Sequence, residues 1–370
     1  MKPLTPQPHT NSPTQSRRSR GRRVAQLLAG AWQQAAPSAP ISAEEIAELA
    51  PLLLSMGAAG LAWRRIRETN LSRSPASAQL QQAYRFHSLE ASVHAHRLKQ
   101  VIARLRSFGV EPVLVKGWAI ARLYPELGLR PFSDLDLCVL PDQYRAAQAA
   151  LANPESRACN VDLHQGFGKF CDRQAEDIFA RSQLVLLDDV EVRVLREEDH
   201  LHFLCLHLLR HGAVRPLWLC DIAVLLEQRA PGFDWARCLS GSRRAADWVA
   251  CAIGLAHQLV GAEVEGTPVA DRTRRLPGWL VPTVLREWGT PYRSPGQVEV
   301  YLRHPLRLWR GLPKELPHHW PNAIEATMTL KGPFNEMPRL PFQVGHVLSR
   351  SASLLRQLVG SGGGPALSRN

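Results

Sequence analysis

The sequence lacks any run of about 18 uninterrupted apolar residues, the length that a membrane-spanning helix requires. Its seven cysteines occur singly, without the paired spacing of a disulfide framework. An Arg-rich run precedes a short apolar segment near the N terminus, but no clean small-residue cleavage site follows it, so an export signal is not predicted. These absences exclude a membrane partner and a secreted disulfide scaffold, and they predict a cytoplasmic protein.

Acidic residues are missing from the first 23 positions. The chain carries a net charge of +12, and this stretch holds six of its basic side chains. The rest of the chain is only mildly basic, so a general nucleic-acid partner is possible but not favoured. A solvated, flexible arm is the expected state of such a charge run, and an arm that contacts nucleic acid or an acidic partner is the alternative.

Composition divides the chain into five segments. The 45% hydrophobic content is sufficient to form a core. We predict a disordered basic arm (1–23), an N-terminal helical region (24–108), an α/β core (109–195), a C-terminal helical region (196–359) and a flexible Gly/Ser tail (360–370).

The N-terminal helical region contains two strong local signals. Ser42 followed three residues later by Glu45 is typical of a helix start with reciprocal capping. Residues 77–108 contain no Gly or Pro, and aliphatic side chains recur there at helical spacing. This pattern predicts one long amphipathic helix that leads into the core.

The core begins with a short β-branched run at Val113 that ends at Lys116-Gly117. Asp134–Leu140 and Asn160–His164 have the pattern of two further strands, and the residues from Leu184 to Val194 predict a hairpin. Because side chains alternate along a strand, Asp134 and Asp136 are expected on one face and the intervening leucines on the other. The order of elements predicts a mixed α/β fold with a short sheet between helical regions.

The pair Asp134 and Asp136 is the main candidate site. Two carboxylates on one strand face repel each other in a poorly solvated site, and a divalent cation between them removes that cost. Oxygen ligands suit Mg²⁺. Asp162, on the next predicted strand, can lie beside the pair, and three carboxylates facing a triphosphate suit phosphoryl transfer with two Mg²⁺ ions.

Five neighbours are candidate nucleotide contacts. Gly117 lacks a Cβ, so backbone amides can approach a phosphate there. Lys116 and Arg130 offer positive charge, but Lys116 could also be a solvated strand end, and Arg130 could pair structurally with an acid. Ser133 could bond a phosphate or cap the strand. His164 could orient Asp162, touch the acceptor, or be a partly buried histidine.

The helical region offers a second candidate cluster. His207 and His211 have the i, i+4 spacing of a zinc pair, but no convincing third ligand follows, so packing on a helix is the favoured interpretation. Asp221 lies in an apolar helical stretch, and we expect it to pair structurally with an arginine such as Arg210 or Arg215.

Four short motifs carry a family resemblance. Val-Lys-Gly-Trp-Ala, Leu-Tyr-Pro, Arg-Pro-x-x-Asp-Leu-Asp-Leu and Val-Asp-Leu-His follow one another between Val115 and His164. This series is similar to the uncharacterised nucleotidyltransferase family of the DNA polymerase β superfamily. His-x-x-x-His-Gly, Trp-Leu-Cys-Asp-Ile-Ala and Trp-Pro-Asn-Ala-Ile-Glu also look like its helical half, so the resemblance covers about Leu89 to Leu355.

The resemblance implies a minimal nucleotidyltransferase core followed by helices. It implies transfer of a nucleoside monophosphate from an NTP to a hydroxyl acceptor, with Mg²⁺ and release of pyrophosphate. Asp134 and Asp136 would be metal ligands, and Asp162 the third carboxylate, which helps to activate the hydroxyl. The superfamily has Gly-Ser or Gly-Gly where this chain has Gly117-Trp118, so the alternative is a degenerate fold that binds a nucleotide, RNA or a protein without catalysis.

Overall fold

A computed structural model describes residues 13–36, 39–168, 173–292 and 320–360; for residues 353–360 it describes the backbone alone. The described chain before the sheet is helical apart from short connections. Its helices are α1 (Pro13–Leu28), α2 (Ala43–Ser55), α3 (Ala59–Ile66), a 3₁₀ turn (Asn70–Arg73) and the long α4 (Pro75–Arg106).

Local sequence signals set the starts of α2 and α4. The Ser42 hydroxyl accepts a hydrogen bond from the Glu45 backbone N–H, and the Glu45 carboxylate accepts one from the Ser42 N–H, so the predicted capping box is confirmed. The Ser74 hydroxyl caps α4 by accepting a hydrogen bond from the Ser77 N–H, and Pro75 occupies the first turn, where a missing N–H costs nothing. The long helix predicted from residue 77 onward is confirmed, with its start two residues earlier.

Five short strands form one mixed sheet. They are β1 (Val113–Leu114), β2 (Leu135–Val139), β3 (Val161–Gln165), β4 (Gln183–Leu187) and β5 (Val190–Val194), in the order β3-β2-β1-β5-β4. Strand β2 runs parallel to β3, and β1 parallel to β5, whereas the pairs β1/β2 and β4/β5 are antiparallel. The linking helices are α5 (Trp118–Ala121), α6 (Tyr144–Ala150), α7 (Pro154–Arg157) and α8 (Ala175–Arg181).

After the sheet the described chain is helical. The helices are α9 (Glu197–Arg210), α10 (Pro216–Glu227), α11 (Trp235–Cys238), α12 (Arg243–Val260), α13 (Ala270–Arg274), α14 (Leu280–Trp288), α15 (Ala323–Thr329) and α16 (Leu340–Gly360). Helices α9, α10 and α12 pack on one another and form the centre of this half. None of the helices in the described ranges is both long and apolar enough to cross a membrane.

The sheet lies between two hydrophobic cores. Leu135 and Leu137 of β2 belong to the core that α4 covers, together with Leu98 and Leu105 of that helix. Cys138, from the opposite face of β2, belongs to the larger core that the helical half fills. The predicted alternation is therefore confirmed, and the face that carries the acidic residues is turned toward the helical half.

The basic arm differs from its prediction. Residues 13–28 form α1, so the expected disorder over 1–23 is wrong for residues 13–23, and residues 1–12 lie outside the described ranges. Helix α1 packs against α14 so closely that neither Gly21 nor Gly289 has room for a Cβ at the crossing. Its fully buried Val24 and Leu28 supply the apolar contact that stabilises the helix despite its charge.

A sheet flanked by helices on both faces confirms the predicted mixed α/β class. The parallel β2–β3 crossover through α6 and α7 brings two successive strands side by side. This places the residues after Asp134 and those after Asn160 at neighbouring positions, which is the structural basis of the candidate site.

One buried histidine predicts how stability depends on pH. His200 of α9 is 2% exposed and hydrogen-bonds to the Val115 backbone; burial, with the charge of Arg122, lowers its pKa to about 3. The unfolded chain takes up this proton near pH 6.5, and the folded protein only near pH 3. The contribution of His200 to stability is therefore fully present above about pH 6.5 and declines as the pH falls toward 3, by up to about 1.4 kcal/mol per unit.

We expect His200→Gln to flatten this dependence. Between pH 6.5 and 5, wild type should lose about 1.6 kcal/mol more unfolding free energy than the variant, as measured by urea denaturation. His96→Gln, at an exposed position of α4, is the matched control and should retain the wild-type slope. Equal slopes in wild type and His200→Gln would contradict the assignment of this proton to His200.

Candidate active site

Three side chains meet on the two neighbouring strands β2 and β3. In the parallel register Asp136 is paired with Asp162, and the next residue on the same face of β3 is His164. Their possible ligand atoms all lie within 4.8 Å of one another. Nε2 of His164 is 3.2 Å from Oδ2 of Asp162 and 3.6 Å from Oδ1 of Asp136. The predicted placement of Asp162 beside the Asp-x-Asp pair is thus observed for Asp136.

Asp136 is the most deeply buried acid of this group. It is 1% exposed, and Nζ of Lys116 lies 2.6 Å from its Oδ1. Burial alone would raise the pKa of this carboxyl, but His164 and Lys116 outweigh it and hold the pKa below its usual value. Its Oδ2 is buried and has no hydrogen-bond partner within the described structure. An ionised oxygen in this state is a ready ligand for a cation.

Asp134 lies just before β2 and is half-buried. Its carboxylate is outside the three-residue group, although it shares the strand face with Asp136. Burial raises the pKa of Asp134, and the negative charge of Asp136 raises it further. This is the repulsion expected of two neighbouring carboxylates, and a divalent ion between them would relieve it. The donor set therefore fits a divalent metal.

Gly117 forms the turn that follows β1. Its φ of 61° and ψ of −120° suit glycine, and an added Cβ would lie 3.2 Å from the Asp134 carbonyl oxygen. Trp118, the next residue, is 7% exposed and packs into the core beneath α4. The indole therefore belongs to the core, and Gly117 brings the turn into close contact with the backbone of the acid strand.

Arg130 forms a buried ion pair. Its Nη2 lies 2.8 Å from Oδ2 of Asp221, and its Nε donates to the same carboxylate. The Tyr124 hydroxyl donates to Oδ1 of Asp221 at 2.8 Å. Of the two alternatives for Arg130, the structure shows the pairing with an acid and not a phosphate contact. The prediction that Asp221 pairs with Arg210 or Arg215 is wrong, because its partner is Arg130. This contact ties the loop before Asp134 to α10.

Ser133 is exposed at the end of this loop. Its carbonyl oxygen accepts a 2.7 Å hydrogen bond from the Asn160 side chain, which links the residues before β2 to those before β3. Asn160 has a positive φ of 51°, a conformation that asparagine adopts more readily than most residues. Sequence reasoning did not assign Asn160 this positioning role, for which an Asn directly before a strand is the only signal.

The histidine pair of α9 packs against Trp218 in a cluster of three rings. The His207 and His211 ring centroids are 4.5 Å apart, and Trp218 lies against both rings at 4.8 and 5.3 Å. These ring contacts agree with the packing interpretation of the pair. Burial lowers the pKa of His207, and the nearby His211 and the positive charge of Lys116 lower it further. The sequence motifs alone did not predict this effect of Lys116 on His207.

Lys116 and a metal ion would compete for the same carboxylate. We expect Lys116→Met to destabilise the metal-free protein, because Asp136 loses its buried counter-charge, and to tighten Mn²⁺ or Mg²⁺ binding on the order of tenfold. Thermal melting with a metal titration measures both effects. Lys331→Met, at an exposed position, is the control. Weaker metal binding in Lys116→Met would show that Lys116 supports the ion instead of competing with it.

A mixed sheet with ionisable carboxylates on adjacent strands and a glycine turn beside them is the core expected of a nucleotidyltransferase. The chain matches the family described as "Uncharacterised nucleotidyltransferase" over residues 42–261, more than half of its length, and it belongs to that family. The match begins before the expected Leu89 and ends before the expected Leu355. Comparisons with the curated proteins and with the solved structures find no match. Family membership supports nucleotidyl transfer as the general activity.

Proposed function

We propose that this protein transfers a nucleoside monophosphate from an NTP to a hydroxyl-bearing acceptor and releases pyrophosphate. The observation that carries the proposal is the buried Asp136 carboxylate, held ionised with an unsatisfied Oδ2 directly beside Asp162. Burying an anion of this kind is costly unless a cation neutralises it, and the contact to Lys116 is made by the other oxygen, Oδ1.

The acidic residues would hold the metal. Asp134, Asp136 and Asp162 are the proposed residues that would hold two Mg²⁺ ions. When bound, the ions would neutralise the phosphate charge and polarise the α-phosphoryl group. The low exposure of Asp136 fits a ligand that anchors an ion in the protein interior. The 56% exposure of the Asp162 side chain fits a ligand that also reaches the acceptor at the surface.

Residues of the chain would also take part in the displacement of pyrophosphate by the acceptor hydroxyl. The acceptor oxygen forms a bond to the α-phosphorus while the bond from that phosphorus to the bridging oxygen breaks, and the hydroxyl proton passes toward Asp162. Lys116, on release from Asp136, would contact the triphosphate, and Gly117 leaves space for a phosphate beside the turn. Ser133, exposed at the loop end, is a further proposed phosphate contact. Arg130 acts as a positioning residue through Asp221.

A second candidate function is a nucleotide-, RNA- or protein-binding module without catalysis. Two observations favour it: Lys116 already neutralises Asp136, and the Asp134 carboxylate lies outside the group that Asp136 forms with β3. In such a protein the ammonium group would take the place of the ion. The fold would then be retained for binding alone.

Thermal melting with each of the four NTPs, with and without Mg²⁺, separates the two functions without knowledge of the acceptor. A ligand at about 100 times its Kd stabilises by about 2.7 kcal/mol, which raises Tm by a few degrees. We expect a Mg²⁺-dependent rise in wild type and in Asp271→Asn, an exposed substitution of the same charge. The Asp134→Asn/Asp136→Asn double variant should show none. A nucleotide shift that needs no metal and survives in the double variant would favour the binding module.

A further inference from the structure

His164 lies where a third ligand of one metal ion would be. Its Nε2 faces both carboxylates, 3.2 Å from Asp162 and 3.6 Å from Asp136, and the residue is 6% exposed. A histidine that only orients Asp162 needs one such contact. The 99% burial of Asp136 and the unsatisfied Oδ2 give an independent sign that a cation belongs at this point.

We propose that Nε2 of His164 is a direct ligand of the ion held by Asp136 and Asp162, and that this nitrogen makes the site prefer Mn²⁺ to Mg²⁺. The inference rests on the proposed function for the presence of a metal centre, but it assigns a nitrogen ligand, and with it a stronger preference for Mn²⁺ than three carboxylates alone would give. It concerns one of the two ion positions.

The preference follows from the chemistry of the donors. Mg²⁺ takes oxygen ligands almost exclusively and gives up its water reluctantly. Mn²⁺ accepts the same carboxylates but, as a first-row transition ion, also binds imidazole. Two carboxylates and one imidazole are a poorer match to structural zinc sites, which are rich in Cys and His. The exposed side of Asp162 leaves coordination positions for phosphate oxygens.

The backbone supports this ligand set. His164 follows Asp162 by two residues on β3, so both side chains leave the same face of the strand. The strand pairing fixes Asp136 next to Asp162, and the parallel ladder holds all three in place. A small rotation of the imidazole or of the Asp162 side chain suffices to bring the three donor atoms around a common centre, because none of their separations exceeds 4.8 Å.

Electron paramagnetic resonance on the full chain tests the ligand directly. The protein is stripped with EDTA and loaded with Mn²⁺, and electron spin echo modulation reports whether a ¹⁴N nucleus is bound to the ion. We expect a nitrogen coupling in wild type and in His96→Gln, and none in His164→Gln, with Mn²⁺ affinity lower by at least tenfold in that variant. The affinity is read from the signal of the unbound hexaaquo ion.

Competition with Mg²⁺ tests the preference. The excess of Mg²⁺ that displaces half of the bound Mn²⁺ should be at least tenfold higher for wild type than for His164→Asp, which replaces the nitrogen by oxygen and still binds an ion. Mn²⁺ binding without a nitrogen coupling, or equal displacement in wild type and His164→Asp, would overturn the inference. A nitrogen-coupled ion in a protein that shows no nucleotide-dependent melting shift would support the ligand assignment and refute the proposed transfer instead.

Discussion

Asp136→Asn is expected to lower the rate of nucleotidyl transfer by on the order of 10³-fold or more, which corresponds to about 4 kcal/mol of lost transition-state stabilisation. The substitution keeps the size of the side chain but removes the negative charge that would anchor both ions. Lys116 loses its partner as well, but it is partly exposed and can reach solvent, so the fold should survive. Pyrophosphate release from each NTP, over a panel of hydroxyl acceptors, measures the effect.

A control variant distinguishes the loss of a metal ligand from the loss of one negative charge on the protein. Asp271→Asn makes the same change at a side chain that is 95% exposed on α13, and it should leave pyrophosphate release unchanged. Asp134→Asn should also abolish transfer, because the proposed two-ion arrangement needs both carboxylates. Pyrophosphate release that persists in the Asp134→Asn/Asp136→Asn double variant would rule out the assigned metal ligands.

The acid strand shows which features a sequence encodes locally. The alternation from Asp134 onward has period two, and only one register buries its leucines against α4, so the facing of Asp136 follows from the pattern itself. The same holds for the start of α2, where Ser42 and Glu45 are three residues apart. Such features depend on neighbours within a few positions and can be predicted without the fold.

Arg130 shows what the sequence does not encode locally. Its partner, Asp221, is 91 residues away, and the choice of Arg130 over the nearer Arg210 and Arg215 depends on how α10 packs behind the sheet. The arginine-rich α1 is a similar case, because its helix is stabilised by α14, more than 250 residues further on. Charge composition alone favoured disorder there, and tertiary contact outweighed it.

The side of the sheet to which the candidate site opens also required the structure. The motifs place acids on β2 and β3, but they carry no information on what covers that face. The packing of Cys138 in the core of the helical half and the hydrogen bond between His200 of α9 and the Val115 backbone place α9 beside the acid strand. The proposed transfer therefore predicts that the acceptor enters between the sheet and this half of the protein.

The buried pair of Arg130 and Asp221 should be the most sensitive electrostatic contact in the described structure. Asp221→Ala leaves the guanidinium buried without a counter-charge and removes the acceptor of the Tyr124 hydroxyl, so we expect a loss of about 3–5 kcal/mol of unfolding free energy. Urea denaturation measures it. Glu265→Ala, which breaks an exposed pair with Arg274, should cost less than about 1 kcal/mol.

The Arg130→Met/Asp221→Leu double variant tests whether this contact supports stability or position. Removing both charges avoids the unpaired guanidinium, so most of the lost stability should return, although the Tyr124 hydroxyl still lacks its acceptor. Transfer should stay reduced in this variant, because the loop that leads to Asp134 is no longer attached to α10. A double variant that recovers both stability and transfer would show that the pair has no positioning role, and one as unstable as Asp221→Ala would show that the guanidinium is not the source of the cost.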